Sequence, residues 1–348
     1  MKVWIDILHT PQLNFYKPFI KMLSNKGYNV CVTVLNRGKL PVIAKKELGI
    51  IPNVTVDVIG RHRMNKFSVI VEANLLRIIR LFLWAIGRKI DLSFSNGSHV
   101  GMLGKILGFP AYEFEDDPQA ADYRFMVKFS TQNHSIIYEV PEGYSLLPQD
   151  KLVKVLKEWS YLNPQLFQPN SDTLKQYNVK PRKYIFMREV SVGTLNYADQ
   201  APDTILKIVP MIPKDMKVLL SLEKKDKRDL YPKDWILLQE PIEDIHSLIY
   251  YSAGLVSSGD SMAREAALLG GPAYYLGIRY DMPANAAAAK VANLQNQKTA
   301  DFATWVKNLS ITPEEAEERQ IKLRKHIDGE FIDINEYMLA LVEKANNK

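Results

Sequence analysis

The sequence predicts an α/β fold of two doubly wound, Rossmann-like domains facing a central cleft, and three observations carry that prediction. The chain has 348 residues, too many for one ordinary core and enough for two domains of roughly 150 to 170 residues each. Short β-rich runs alternate with amphipathic stretches through the first half. Such alternation calls for a parallel sheet covered by helices, because parallel neighbours need crossover connections. After a polar break the alternation resumes, so there are two such halves.

In the first half the strand-like runs are Val3 to Leu8, Asn29 to Leu35, Val54 to Ile59, Asp91 to Ser95 and Pro110 to Phe114. Between them lie the amphipathic segments Phe15 to Asn25, Val42 to Leu48, Ser68 to Ile86 and Gly101 to Leu107, with Gly27, Gly49 and Gly108 near the expected helix ends. The polar stretch Tyr161 to Asn170 then reads as an interdomain linker. In the second half the runs are Lys183 to Met187, Lys217 to Ser221, Trp235 to Gln239, Gly254 to Ser257 and Pro272 to Leu276. The expected organisation is a first domain over 1–160, a linker over 161–180, a second domain over 181–330, and a last helix over 331–348 that packs back toward the first domain. Two open α/β halves imply a ligand at the carboxyl ends of the strands, where the halves face each other.

With 47% hydrophobic and 24% charged residues the composition is that of a folded globular protein. The single cysteine, Cys31, lies in an apolar run and is expected to be a buried strand residue in a reducing compartment. The chain goes from Met1-Lys2 directly into a strand-like run without a signal peptide, so a cytoplasmic location is expected. The net charge of +6 is concentrated: Arg61 to Ile90 holds seven Lys/Arg against one Glu, amid the most apolar helical stretch of the chain. Charges interrupt it too often for a membrane span. It reads either as a core helix with a solvated basic side or as a surface for anionic lipid. It lacks the interleaved aromatics of a nucleic-acid platform, so nucleic acid is not an expected partner.

The most informative window runs from Ala253 to Pro272. A strand leads into the small polar turn Ser257-Ser258-Gly259-Asp260-Ser261, then a short helix, a Gly270-Gly271 stop and another strand. Small residues leave room for a ligand, and the free N–H groups of the first helical turn attract phosphate. Ser261 and Glu265 are four apart and share a helix face, so a carboxylate stands one turn from the anion site, where it could accept hydrogen bonds from ribose hydroxyls. The same residues also fit an ordinary capped helix with Asp260 or Ser261 as N-cap.

Together with the preceding turn and helix, Leu238 to Gly254, this window resembles the glycosyltransferase-B superfamily. It is similar in particular to the N-acetylglucosaminyltransferase that makes lipid II and to UDP-N-acetylglucosamine 2-epimerase. The resemblance implies that Pro241 and Ile242 line the base, that Gly259, Asp260 and Ser261 hold the phosphates, and that Glu265 binds ribose. Further blocks resemble a little-characterised branch of that superfamily known only as a domain of unknown function. They are Asp6 to Gln12 leading into Lys17-Pro18-Phe19-Ile20, Ile59 to His62, Phe114-Glu115-Asp116, Tyr161-Leu162 with Phe167-Gln168-Pro169, and Met187-Arg188. Two departures matter. The branch often carries His at the position of Gln12, a role His9 could take. Where the epimerase has a catalytic His before its Arg-Glu pair, this chain has Phe186-Met187-Arg188-Glu189, which counts against epimerase chemistry.

The first-domain candidates are His9 and Gln12 after the first strand, where an acceptor hydroxyl and a base would meet, and Glu115 and Asp116 at another strand end. The bland reading of His9 and Gln12 is a loop capping the next helix. Glu113, Glu115, Asp116 and Asp117 could raise one carboxyl toward a general-base pKa or hold a divalent cation, but glycosyltransferase-B enzymes usually work without one, so no metal or cofactor is expected. Arg188 suits a diphosphate through bidentate hydrogen bonds, or else an interdomain salt bridge. Arg279, Tyr280 and Asn285 are weaker candidates for the donor sugar. Zinc-ligand spacing, a Walker loop, a serine-hydrolase elbow and a GxGxxG fingerprint at Gly259 are all missing from the sequence. The expected function is transfer of a sugar from a UDP-sugar to an acceptor in or near a membrane, for a surface polysaccharide. UDP-sugar 2-epimerisation and non-catalytic sugar-nucleotide binding are the alternatives.

Overall fold

The computed structural model describes residues 1–62, 71–97, 99–117, 132–143, 145–147, 150–192, 199–239, 241–309 and 312–347. The chain forms two compact units, unit 1 from Met1–Tyr161 with Phe331–Lys348, and unit 2 from Leu162–Glu330.

Unit 1 runs β1 (Lys2–Ile7), α1 (Thr10–Asn25), β2 (Asn29–Asn36), α2 (Leu40–Leu48) and β3 (Val54–Arg61), then a π-helical turn at Glu72–Leu76 that continues into α3 (Arg77–Ala85). It goes on with β4 (Leu92–Ser95), α4 (His99–Leu107), β5 (Ala111–Glu115), β6 (Gln132–Ile136), β7 (Asp150–Val153) and the short α5 (Trp159–Leu162), which ends at the start of unit 2. The strands pair in parallel in the order β3-β2-β1-β4-β5-β6-β7. The order reverses between β1 and β4, which makes this end of the sheet a topological switch point.

Unit 2 follows with β8 (Tyr184–Glu189), β9 (Lys217–Leu222), β10 (Ile236–Leu237), α6 (Ile245–Tyr250), β11 (Gly254–Ser257), α7 (Asp260–Leu268), β12 (Ala273–Tyr275), α8 (Pro283–Ala292), β13 (Gln295–Asn296), α9 (Phe302–Lys307) and α10 (Pro313–Glu330). Its sheet is parallel, in the order β10-β9-β8-β11-β12-β13, with the reversal between β8 and β11. The last helix, α11 (Ile334–Asn346), belongs to unit 1. In unit 2 Ile185, Met187, Val218, Leu220, Val256 and Tyr274 pack against Phe302, Trp305 and Leu309.

The register of the unit 1 sheet aligns Asp57, Thr33, Asp6, Ser95, Glu113, Asn133 and Asp150 in one row across seven strands. Asp6 is wholly buried there and takes both terminal nitrogens of Arg77, at 3.0 and 2.7 Å, and the Thr33 hydroxyl. Asp57 accepts from Trp84 Nε1 at 2.9 Å. Glu113 is 1% exposed beneath α4. Gly104 lets α4 lie that close, since a Cβ on it would meet Ala111 Cβ and Phe109 O at 2.8 Å.

Three expectations are corrected. Strands β6, β7 and β13 were not expected, because Gln132-Asn133-His134-Ser135-Ile136 has one apolar residue and the other two are short and polar. Cys31 is half-buried rather than buried, standing on the more open face of β2. In the Arg61 to Ile90 segment, of which 63–70 lie outside the described residues, Arg77 is no surface residue: it shares the core face of α3 with Leu81 and Ala85. Ile79, Leu83 and Ile86 face solvent in its stead, at 46, 64 and 51% exposure. The stretch is apolar on more than one face, and the helix turned the face with the arginine inward because Asp6 neutralises it.

Candidate functional site

In unit 2 the described geometry converges at the start of α7. Strand β11 is wholly buried and ends at Ser257; Gly259 is the N-cap of α7 in extended conformation, and no side chain caps from that position. The two serines of the turn are spent on bracing it. Ser257 Oγ accepts from Gly259 N at 3.0 Å and donates to Gly259 O at 2.7 Å, while Ser258 Oγ accepts from Val190 N at 2.9 Å. Asp260 Oδ1 accepts from Ser261 N at 3.0 Å, and its Oδ2 lies 3.1 Å from Arg279 Nη1 and 3.7 Å from Arg264 Nη1. Arg264 is 1% exposed and donates to Asn285 Oδ1 at 2.8 Å and, at 3.5 Å, to Ser261 Oγ. Asn285 in turn donates to Arg279 O at 2.5 Å.

Two guanidinium groups thus meet one carboxylate beside the positive end of a helix, a balance that attracts an anion. Asp260, expected as a phosphate-turn residue, works here by holding both arginines. Tyr275 closes the group: its hydroxyl accepts from Arg279 N at 3.3 Å, and burial pushes it up to about 12, so it stays a neutral phenol. Tyr280 lies beneath Lys298 Nζ, 3.8 Å from the ring centroid.

Glu265, one turn along α7, is buried, with Oε2 3.4 Å from His246 Nε2. His246 belongs to α6, which follows the Pro241–Ile242 turn; Pro241 is exposed and Ile242 half-buried. Glu240 of the same turn lies outside the described residues. Arg188 is next to Ser257 by strand register, and its carbonyl accepts from Ser258 N at 3.0 Å. Its guanidinium donates to Ser221 Oγ at 2.7 Å and Glu223 Oε1 at 2.9 Å. The salt bridge expected as an alternative therefore exists, but inside unit 2.

Unit 1 gathers its own candidates around a residue the sequence reading missed. Asp116 Oδ2 is 2.5 Å from Lys157 Nζ, and both side chains are nearly buried. Burial first, then the charges of Lys157 and Arg37, lower the pKa of His9 to about 4. Burial and then the Asp116 charge raise Glu115 well above the usual carboxyl range. Glu115 Oε1 also accepts from Asp116 N and Asp117 N, at 2.9 and 3.0 Å. Gln12 differs from the rest: its Oε1 accepts from Leu8 N at 2.7 Å, closing the β1–α1 turn. In the turn Ser95 to His99 that follows β4, Ser98 lies outside the described residues, while Asn96 Nδ2 donates to Phe114 O at 2.7 Å. Glu113, on the same strand face as Glu115, is raised by burial to about 8.

Lys157, Arg264 and His246 were missed by the sequence reading, the first in spite of a signal and the other two for want of one. Lys157-Glu158 stands between Val155-Leu156 and Trp159, where a charged pair amid apolar residues was the available signal. Arg264 and His246 carry no spacing that a local pattern can register.

A family model described as a protein of unknown function (DUF354) matches residues 154–280. No curated protein matches the chain in sequence. Among solved structures, UDP-GlcNAc 2-epimerase from Neisseria meningitidis bound to UDP-GlcNAc is 13% identical, with all of both chains covered and a TM-score of 0.63. The glycosyltransferase VinC in complex with dTDP is 12% identical with the same coverage and TM-score. The glycosyltransferase SnogD from Streptomyces nogalater is 14% identical over 99% of each chain, with a TM-score of 0.65. At such identities the likeness is one of fold. Two parallel α/β units with switch points at β1/β4 and β8/β11, matched along their whole length by these structures, make the chain a protein of the glycosyltransferase-B fold.

Proposed function

We propose that the chain is a glycosyltransferase whose donor is a UDP-sugar bound in unit 2 at the carboxyl ends of β11 and β12. The observation that carries the reading is the meeting of three features at the start of α7: a helix N-terminus whose N-cap residue, Gly259, has no side chain to close it, the Asp260-held pair Arg264 and Arg279, and Glu265 one turn further on. A diphosphate fits the first two. Ribose hydroxyls fit the third, and the Pro241–Ile242 turn takes the base. Solved structures of this fold bound to UDP-GlcNAc and dTDP support a nucleoside diphosphate as the ligand class.

On the acceptor side His9 is the proposed base. Its lowered pKa leaves the imidazole neutral at ordinary pH and able to accept a proton from a hydroxyl. Asp116, paired with Lys157, is the charged carboxylate beside it. Glu115 is better suited to giving a proton than to taking one, because burial favours its acid form. Gln12 shapes the turn. The proposal includes no metal or cofactor.

The acceptor is proposed to be lipid-linked, for a surface polysaccharide, with the protein at the cytoplasmic face of a membrane. No helix among the described residues is long and apolar enough to cross one. Ile79, Leu83 and Ile86 on the outer side of α3, with Arg80, Arg88 and Lys89 close in sequence, support the reading of a surface contact. Epimerisation is the second reading, favoured by the whole-chain likeness to the epimerase. Against it, wholly buried Phe186 and Met187 precede Arg188-Glu189, where the epimerase has its catalytic histidine.

Thermal-shift screening with UDP-, GDP-, CMP- and dTDP-sugars tests the donor site, and a UDP-sugar is expected to raise Tm most. Glu265→Ala is expected to weaken binding of UDP by roughly 1.5 to 3 kcal/mol in calorimetry, the worth of hydrogen bonds to a charged group. Unchanged affinity in a folded variant would remove Glu265 from the site. Incubating the chosen donor without acceptor separates the readings, since epimerisation alters the sugar and transfer needs a second substrate.

A further inference from the structure

We infer that the Asp260 carboxylate is a resident counter-anion of the donor site, which occupies donors that a diphosphate needs, yields Arg279 to the ligand on binding, and so speeds release of the nucleoside diphosphate. The inference rests on the reading of the start of α7 as the diphosphate site.

The carboxylate sits where an anion belongs. Asp260 is buried, with Oδ1 accepting from Ser261 N, a first-turn N–H of α7, at 3.0 Å and Oδ2 from Arg279 Nη1 at 3.1 Å. A helix-start N–H and a guanidinium are the donors that a phosphate takes. The turn thus holds an internal anion, and a diphosphate reaches both donors only by displacing it.

The two arginines beside it differ in freedom. The Arg264 side chain is 1% exposed and tied to Asn285 Oδ1 at 2.8 Å. The Arg279 side chain is 23% exposed, while its main chain is pinned. Its N donates to the Tyr275 hydroxyl at 3.3 Å, and its O accepts from Asn285 Nδ2 at 2.5 Å and from Met282 N at 3.2 Å. The loop passes so close to that hydroxyl that a Cβ on Gly277 would overlap it. Arg279 can therefore turn its guanidinium from Asp260 to a ligand while the backbone beneath stays in place.

The exchange strands no charge. A buried carboxylate left without a partner is strongly destabilised, but Arg264 Nη1 stays 3.7 Å from Asp260 Oδ2. Two guanidinium groups against one carboxylate leave one positive charge to hand over. The broken Asp260–Arg279 contact is subtracted from the ligand's affinity, and the carboxylate left beside the phosphates repels them. Both effects fall on the phosphates and spare ribose and base. Release of the nucleoside diphosphate is a step that can limit turnover, and a weaker hold shortens it.

The test is calorimetry on the full chain with UDP, and with uridine measured by displacement of UDP, each variant being checked for an intact melting transition. Asp260→Asn keeps an oxygen that accepts from Ser261 N and loses the charge; Asp260→Ser takes its place if the amide prevents folding. Either is expected to bind UDP about tenfold tighter, the worth of a hydrogen bond to a charged group, with uridine within about twofold of native. Surface plasmon resonance should show the gain as slower release, and adding Arg279→Gln should remove it. A folded Asp260→Asn or Asp260→Ser variant that binds UDP no tighter than the native chain overturns the inference and leaves the donor site standing. So does a gain shared equally by uridine, one confined to the association rate, or one that survives Arg279→Gln. Failure of the native chain to bind any of UDP, GDP, CDP and dTDP overturns the donor site and this inference with it.

Discussion

The two units use the same sheet architecture and put their polar residues in different places. In unit 2 the strands inside the polar edge strand β13 carry apolar rows up to their carboxyl ends: the row Ile236, Leu219, Phe186, Leu255 and Ala273 is followed by Leu237, Leu220, Met187, Val256 and Tyr274, and only then by Ser221, Arg188, Ser257 and Tyr275. In unit 1 the row from Asp57 through Asp6 and Glu113 to Asp150 carries four carboxyl residues across the sheet, with Asp6 and Glu113 inside the core. Burying a charge costs several kcal/mol unless it is paired or neutralised. Unit 1 solves this twice, by pairing Asp6 with Arg77 and by keeping a proton on Glu113. Unit 2 keeps charge out of these strand rows and buries it at the strand ends and helix starts, where Asp260 meets Arg264 and Arg279. Unit 1 should therefore be the unit whose stability depends on charge, and unit 2 the one whose charges serve binding.

The largest effect should come from removing one half of the buried pair. Arg77→Ala strands Asp6 in the core and is expected to cost unit 1 about 3 to 5 kcal/mol in urea denaturation. Arg188→Ala removes a partly exposed partner of Glu223 and should cost about 1 kcal/mol or less. Equal losses would erase the contrast between the units.

A second, smaller effect concerns pH. Glu113 keeps its proton in the folded state up to about 8 and loses it near 4.5 in the unfolded chain. Its contribution is thus complete below 4.5 and falls as pH rises toward 8, by at most about 1.4 kcal/mol per pH unit. His9 and His134, both lowered from 6.5 to about 4, act in the opposite sense between those values, so the clean window is pH 6.5 to 8. Glu113→Gln, a neutral mimic of the protonated acid, should flatten the stability curve there, leaving the slope due to Glu115. A curve as steep as the native one would return Glu113 to the ordinary carboxylates.

The smallest effect lies on the surface of unit 1. Co-sedimentation with anionic vesicles should weaken on Arg80→Glu with Arg88→Glu, by about 1 kcal/mol for each charge near the surface, and should fade as salt rises. Arg77 is unsuitable for this purpose because it holds Asp6. Native protein that fails to sediment even at low salt would reject the lipid surface and favour an acceptor free in water.

Much of this molecule is legible in its sequence. The alternation of β-rich runs with amphipathic stretches marks β1 to β5 and β8 to β12, since strand and helix periods are local properties of the chain. The turn at Ser257 to Ser261 and the pairing of Ser261 with Glu265 on one helix face are local too. Strand β6 escaped because its polar residues Asn133, His134 and Ser135 are buried by neighbours, against the pattern an isolated strand would show, and β7 because it is short and opens with two charged residues. Arginine and lysine carry no mark in a linear pattern that tells a solvated side chain from one that has found a carboxylate.

What the sequence by itself determined is therefore the kind and order of the elements, together with the small-residue turn that leads into α7. Only the tertiary structure decided which charges are buried and which groups meet. Asp6 and Arg77 are 71 positions apart, and His246 meets Glu265 across two helices separated by a strand. Whether a charge can be buried depends on the partner brought to it in space, and that partner is chosen by sheet order and helix packing rather than by the residues alongside it in the chain.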